Sequence, residues 1–248
     1  MTDLRAYLDE EGFRERSGEE IDKVLAQHPA IIAEFDRMRR GEATQDFYVF
    51  ASQIINGVSL YDFLKSRSRI LVEWRVERIA RYASAKSRIV DAGCGTGLEA
   101  AFFSHLASMG EVTGIDSSEA MLRLARERTA RRRLGNLRFL NADMENMPIE
   151  TGSQDLVYCM EALYDNRPGK DNDAMAKLHE FRRILRTGGR LVFTLHSEAE
   201  DSCDRSAGYY EGILDCLSYR DFTREKGYHI GADGMSTNHI LVSAEKGE

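Results

Sequence analysis

The chain has 248 residues, 42% hydrophobic and 30% charged, which suits one globular domain with room for an appended subdomain. Its formal net charge of −7 argues against a broad phosphate-binding surface, so a nucleic-acid partner is disfavoured. No window resembles a membrane span, the acidic N-terminus reads as no secretory signal, and the cysteines at 94, 159, 203 and 216 lack paired or metal-ligand spacing, so free thiols in a reducing cytoplasm are expected.

In chain order, "EEIDKVLAQHPAIIAEFDRMRR" places Ile21, Val24, Leu25, Ile32 and Phe35 at near-helical spacing, with Pro29 expected to break the run in two. "DFYVFASQ" is aromatic for a surface linker and offers Phe47, Tyr48 and Phe50, with Tyr61 beyond, as candidate pocket-lining residues. "SLYDFLKSRSRILVEWRVERIARYA" repeats the helical pattern through Leu60, Phe63, Leu64, Leu71, Trp74 and Ile79. Residues 1–70 are therefore read as a helical extension or lid, and 71–248 as the main domain.

From about residue 88 strand-like and helix-like segments alternate. "RIVDAG", "EVTGID", "LRFLNAD", "DLVYCM" and "RLVFTLH" are short strand runs, separated by intervals long enough for helices. This alternation predicts βαβ units and an α/β fold with a mainly parallel, doubly wound sheet. Ser117 is a candidate N-cap for the helix that follows Asp116, and Thr187-Gly188-Gly189 a candidate helix stop. The basic stretch "RLARERTARRR", Arg123 to Arg133, reads as a solvated helix face. After Leu195 the pattern loosens into a polar stretch. A helix is predicted over Tyr209–Lys226, then two strands joined by a short glycine-containing loop at the sheet edge.

Chemistry concentrates at strand ends, where open parallel sheets bind ligands. "VDAGCGTG" (90–97) ends the first strand and opens a helix, and its three glycines let a ligand lie against the backbone. Asp116 closes the second strand 19 positions beyond Gly97, where a carboxylate can accept both hydroxyls of a ribose. Asp143 ends the third strand, placed to read an amino-purine edge, and "YCMEALYDN" ends the fourth. The third glycine of a dinucleotide fingerprint would fall at Leu98, and no lysine follows Gly97 as a phosphate-cradling loop requires. These residues point to an adenosine ligand without a pyrophosphate.

With these residues in place, the chain resembles the class I S-adenosylmethionine-dependent methyltransferases over roughly residues 70–246. The blocks that carry the likeness are "VDAGCGTG", "VTGIDSSEAML", "LNADMENMPIETGSQDLVYCMEAL" and "EFRRILRTGGRLVFT", in this order. The resemblance implies a Rossmann-like seven-stranded sheet, mostly parallel, whose last strand is antiparallel. It implies S-adenosylmethionine as cofactor. Asp91, Gly93, Gly95 and Gly97 then match the loop under the methionine moiety. Asp116 matches the ribose ligand with Ser117 beside it, Asp143 and Met144 the adenine contacts, and Cys159 the fourth-strand residue facing the methionine end.

The function implied is methyl transfer to an oxygen or nitrogen of a small-molecule acceptor by in-line displacement. His196, at the end of "RLVFTLH", is the candidate general base, with Tyr164 and Asp165 as alternates. Tyr158 and Tyr164 are candidates to face the sulfonium. The six histidines show no metal-ligand spacing, which disfavours a metal-assisted mechanism. The N-P-P-Y type of tetrapeptide seen in many amide-nitrogen and nucleic-acid methyltransferases is absent, and "YCMEALYD" stands in its place. A non-catalytic S-adenosylmethionine-binding sensor or partner subunit, and a protein or tRNA methyltransferase, remain the competing readings.

Overall fold

Side-chain caps set most helix starts in the first eighty residues. In α1 (Leu4–Glu10) the cap is Asp3, and in α2 (Gly18–Leu25) it is Ser17. Pro29 opens α3 (Pro29–Arg39) at the one turn where its missing N–H is harmless, as the sequence predicts. Asp46 caps α4 (Phe47–Ala51), a small hairpin of β1 (Ile54–Ile55) and β2 (Val58–Ser59) follows, and Ser59 caps α5 (Leu60–Lys65). A 3-10 turn at Ser66–Ser68 leads into α6 (Arg69–Ile79), which runs through the boundary drawn at residue 70. The structure is a computed structural model and describes residues 3–40, 42, 46–163, 174–197, 200–230 and 236–248.

The main domain then alternates. Its elements are β3 (Arg88–Ala92), α7 (Leu98–Leu106), β4 (Glu111–Asp116), α8 (Glu119–Arg132), β5 (Leu137–Asn141) and β6 (Gln154–Cys159). There follow α9 (Ala174–Ile184), β7 (Leu185–Ser197), α10 (Glu200–Cys216), β8 (Tyr219–Ile230) and β9 (Ser236–Lys246). The seven strands lie in the order β5-β4-β3-β6-β7-β9-β8. Pairing is parallel from β5 through β7, while β9 runs antiparallel to both β7 and β8, so the last strand alone is reversed. Strand order reverses between β3 and β6, the position at which such sheets open a ligand crevice.

Each face of the sheet carries its own core. One joins Val90, Val157 and Phe193 to Leu178 and Phe181 of α9 and Tyr210 and Leu214 of α10. The other joins Ile89, Val112 and Tyr158 to Phe102 and Phe103 of α7, Val72 and Val76 of α6, and Tyr7 of α1. Helices α1 and α6 thus complete one face of the main domain. A satellite core of Ile31, Phe50, Ile55 and Leu60 holds the rest of the extension together.

Three boundary expectations are corrected. The helix expected over Tyr209–Lys226 is α10, which starts at Glu200 and ends at Cys216; from Tyr219 the chain is already strand, because β9 offers a full antiparallel ladder that outweighs local helix preference. Helix α9 ends at Ile184, so Gly188 and Gly189 are no helix stop. They form an irregularity inside β7, with φ +73° at Gly188 and no room for a Cβ at Gly189 between the Arg186 and Gln154 carbonyls. Ser118, not Ser117, caps α8, its Oγ accepting from the Met121 N–H. The glycine-containing loop between the final strands lies outside the described residues.

Candidate active site

Strand β3, with four of its five residues buried, delivers the chain to a glycine loop at the C-terminal edge of the sheet. Gly93 and Cys94 both donate to the carbonyl of Ile115, at 2.8 and 2.9 Å, so the loop is pinned to the end of β4. Gly93, Gly95 and Gly97 all have positive φ, at +83°, +52° and +69°. A Cβ on Gly93 would lie 2.3 Å from that of Ala162, and one on Gly97 would run into the Phe139 ring and Ala125. Glycine is thus required by packing as well as by backbone angle.

Asp116 closes β4 and ties its carboxylate to the same loop. Its Oδ2 accepts from Gly95 N–H and its Oδ1 from Ser118 N–H, both at 2.8 Å. Each oxygen keeps acceptor capacity, and the residue is only half-buried, so the carboxylate is aimed and accessible. Burial raises its pKa against these backbone hydrogen bonds. Ser117 beside it is exposed and accepts from Asn141 through its carbonyl. Asp143 is exposed beyond β5, and its Oδ1 accepts from Glu145 N–H at 2.9 Å in an Asx turn. The half-buried Met144 turns its sulfur to within 3.8 Å of where a Gly93 Cβ would stand. The loop residues of Glu145–Met147 are braced from below, with Glu180 accepting from Met147 N–H and Arg183 holding the Met147 and Ile149 carbonyls.

A cleft lies over the loop, and Asp91, Gly93, Gly95, Tyr61, Arg75 and Met160 are among its lining residues. Asp91 is 3% exposed, and burial first, then the Glu99 charge, hold its carboxyl well above the usual carboxylate range. The Tyr158 hydroxyl lies against it yet closes no hydrogen bond of normal geometry. Tyr158 therefore belongs to the core, with its ring 4.8 Å from that of Phe103, and not to the surface expected to face a sulfonium. Cys159 is likewise placed elsewhere. Strand alternation turns its buried thiol into the opposite core, where burial pushes it up to about 12, and leaves Met160 to line the cleft.

The extension closes over this loop. The Tyr61 ring comes within 3.6 Å of a Cβ position on Gly95. Asp62 accepts from Thr96 Oγ1 at 2.8 Å, and the Tyr7 hydroxyl donates to the Leu98 carbonyl at 2.6 Å. Arg128 joins the parts: Nε donates to Glu11 at 2.6 Å, Nη2 to Asp62 at 3.0 Å, and Nη1 to the Thr96 carbonyl. Arg132 adds a bond to Glu11 and lies 4.5 Å over the Tyr7 ring. The basic stretch is therefore not wholly a solvated face: Arg128 is 6% exposed, because helical periodicity turns it inward towards acidic partners from residues 11 and 62. Of the other aromatic candidates, Phe50 is packed edge-on against Phe35 in the satellite core, while the half-buried Tyr48 lies beside Tyr61 and the half-buried Phe47 packs on Tyr48.

Tyr164 and Asp165 lie outside the described residues. For His196 the structure describes the backbone alone: it sits near the C-terminal end of β7, paired with His239 across the ladder. That pairing brings His239 to the same level of the sheet, which spacing along the chain does not reveal. The charged group formed by Lys65, Arg75, Glu99 and Glu161 leaves no signal in the sequence, because it is assembled from four separate segments.

Over residues 89–189 the chain matches the family described as methyltransferase domain. Malonyl-[acyl-carrier protein] O-methyltransferase of Laribacter hongkongensis is 31% identical over 163 residues, covering 60% of this chain and 52% of that protein. Demethylmenaquinone methyltransferase of Staphylococcus aureus is 37% identical over 106 residues, covering 42% of this chain and 41% of that one. The chain thus spans about half or less of the length of these curated relatives. In fold it is similar to Haemonchus contortus phosphoethanolamine N-methyltransferase 2, solved with S-adenosyl-L-methionine, at a TM-score of 0.55 and 16% identity over 70% of this chain and 52% of that chain. Residues 89–189 thus match a methyltransferase domain, and the sheet they help build is similar in fold to that of a protein solved with S-adenosyl-L-methionine.

Proposed function

We propose that the chain transfers a methyl group from S-adenosylmethionine to an oxygen or nitrogen of a small-molecule acceptor by in-line displacement. The observation that carries this reading is the join between loop and strand: three positive-φ glycines pinned to Ile115, with the Asp116 carboxylate aimed from the adjoining strand end. The donor set suits the cofactor, since the positive-φ Gly93 and Gly95 bring bare backbone to the cleft and Asp116 retains acceptor capacity for two ribose hydroxyls. Asp91, Gly93, Gly95 and Gly97 would lie under the methionine portion, Asp116 and Ser117 at the ribose, and Asp143 and Met144 at the adenine. The relatives acting on malonyl-[acyl-carrier protein] and demethylmenaquinone support methyl transfer to a small organic group.

When bound, the cofactor would supply an already activated methyl on a positively charged sulfur. The protein's share is then alignment and exclusion of water, which in reactions of this kind can account for much of the rate. Tyr61 and the helices behind it would roof the cleft. His196 would take the proton that a neutral acceptor releases, from its place at the end of β7. The test is incubation of the chain with methyl-labelled S-adenosylmethionine and a panel of small hydroxyl, amine and carboxylate acceptors. Label in an acceptor is the expected result; tight cofactor binding with no transfer to any acceptor would favour a sensor or partner subunit instead.

A further inference from the structure

The cleft holds more charge than recognition of an adenosine requires. Lys65 ends α5 and Arg75 lies in α6, yet both turn their cations to one carboxylate. Lys65 Nζ stands 3.2 Å from Glu161 Oε2, and Arg75 Nη1 stands 2.7 Å from Glu161 Oε1. Each carboxylate oxygen therefore has its own cation, in the forked arrangement that suits carboxylate recognition. The other edge of Arg75 is fixed by Glu99, which accepts from Nε at 2.8 Å and also from Nη2. Lys65, Arg75 and Glu99 all line the cleft alongside Asp91 and Gly93. Burial works against both cations, but the facing glutamates outweigh it and raise them above their ordinary range.

Glu161 is the odd member of the group. It follows β6 with φ at +57°, a left-handed conformation that disfavours a residue with a Cβ. Its side chain keeps 24% exposure, close to the 27% of Lys65 and well above the 5% of Arg75. The cations thus come from two helices, and the carboxylate between them from a strand end held in a left-handed conformation.

We propose that Lys65 and Arg75 form a carboxylate-binding subsite of the cleft, which Glu161 fills from within the chain and yields to a carboxylate on a ligand. The proposal rests on the reading of the cleft as a cofactor site. The ligand carboxylate has two sources, the amino-acid end of the cofactor or an acidic acceptor.

Calorimetry on the full chain separates them. S-adenosylhomocysteine carries the amino-acid carboxylate, and 5′-methylthioadenosine shares its adenosine but lacks that group. If the cofactor supplies the carboxylate, Lys65→Met weakens S-adenosylhomocysteine about tenfold and leaves methylthioadenosine within about twofold. Glu161→Gln, which removes the competing charge, tightens S-adenosylhomocysteine several-fold. If an acceptor supplies it, both nucleosides are unaffected, while binding of succinate or benzoate, measured against succinamide and benzamide, is lost in Lys65→Met and strengthened in Glu161→Gln. The proposal is overturned if Lys65→Met and Glu161→Gln weaken the same ligand alike, or if neither changes any carboxylate, since the group is then a structural ion-pair cluster. A wild-type chain that binds neither nucleoside rejects the cofactor reading, and the acid panel by itself then decides the subsite.

Discussion

Asp91 lines the cleft with its carboxyl pKa raised by burial and by the neighbouring Glu99. A folded-state pKa above the unfolded value means that the folded chain binds the extra proton. This contribution to stability is complete below the unfolded pKa of about 3.9 and is lost as pH rises through the folded value. Asp91→Asn should therefore raise the melting temperature of the ligand-free chain at pH 8, with the gap to wild type closing towards pH 4. Thermal melts across that range check it, and a gap of equal size at both ends would contradict the assigned ionisation. At the other side of the crevice, His196→Gln should lower turnover about 10²-fold with cofactor affinity unchanged, and remove one ionisation from the neutral limb of the pH–rate profile. Near-normal turnover with the same profile would leave alignment as the main source of rate. Gly93, Gly97 and Asp116 were legible in the sequence because their spacing along two consecutive strands reports a local turn. Cys159 and Met160 were not told apart, because a one-residue change of face in a buried strand leaves no trace in composition. Glu161 carried no signal, since its meaning depends on Lys65 and Arg75, far away in the chain.

At the scale of elements, the extension and the glycine loop are coupled through Arg128 of α8. Its partners Glu11, Asp62 and the Thr96 carbonyl belong to three different segments, and all are buried with it or nearly so. Removing one partner of a buried ionic network strands the others, so Arg128→Ala should destabilise the fold by about 3 kcal/mol or more in denaturant titrations. A loss below about 1 kcal/mol would show that the network is solvated in practice. If the extension is a lid, S-adenosylhomocysteine should slow proteolysis within residues 1–70, while equal cleavage in both states together with normal turnover after truncation would remove that role. Pro29 and the capping residues made the helices of the extension readable. The α10–β8 boundary was not readable, because Tyr219 to Ile230 become a strand through pairing with β9, which lies after them in the chain. Local preference cannot anticipate a partner of that kind.

For the whole molecule, the reversed β9 between β7 and β8 completes a sheet whose ligand edge faces the extension, and α1 and α6 belong to that domain's own core. The alternation of strand and helix along the chain makes a mainly parallel sheet legible in the sequence, while the count of seven strands with the last one reversed is what the resemblance implies. What covers the cleft is not legible there, since the contacts of Tyr61 with Gly95 and Asp62 with Thr96 join segments more than thirty residues apart. The proposed function requires the crevice at the ends of β3, β4 and β5 to take the adenosine and methionine parts of S-adenosylmethionine. The most direct test is titration calorimetry of wild type and Asp116→Ala with S-adenosylhomocysteine and NAD. The account predicts binding of S-adenosylhomocysteine and none of NAD by wild type, with a loss on the order of 2 kcal/mol in the variant from two missing charge-assisted hydrogen bonds. Equal affinity in Asp116→Ala, or preferential binding of NAD, would contradict it.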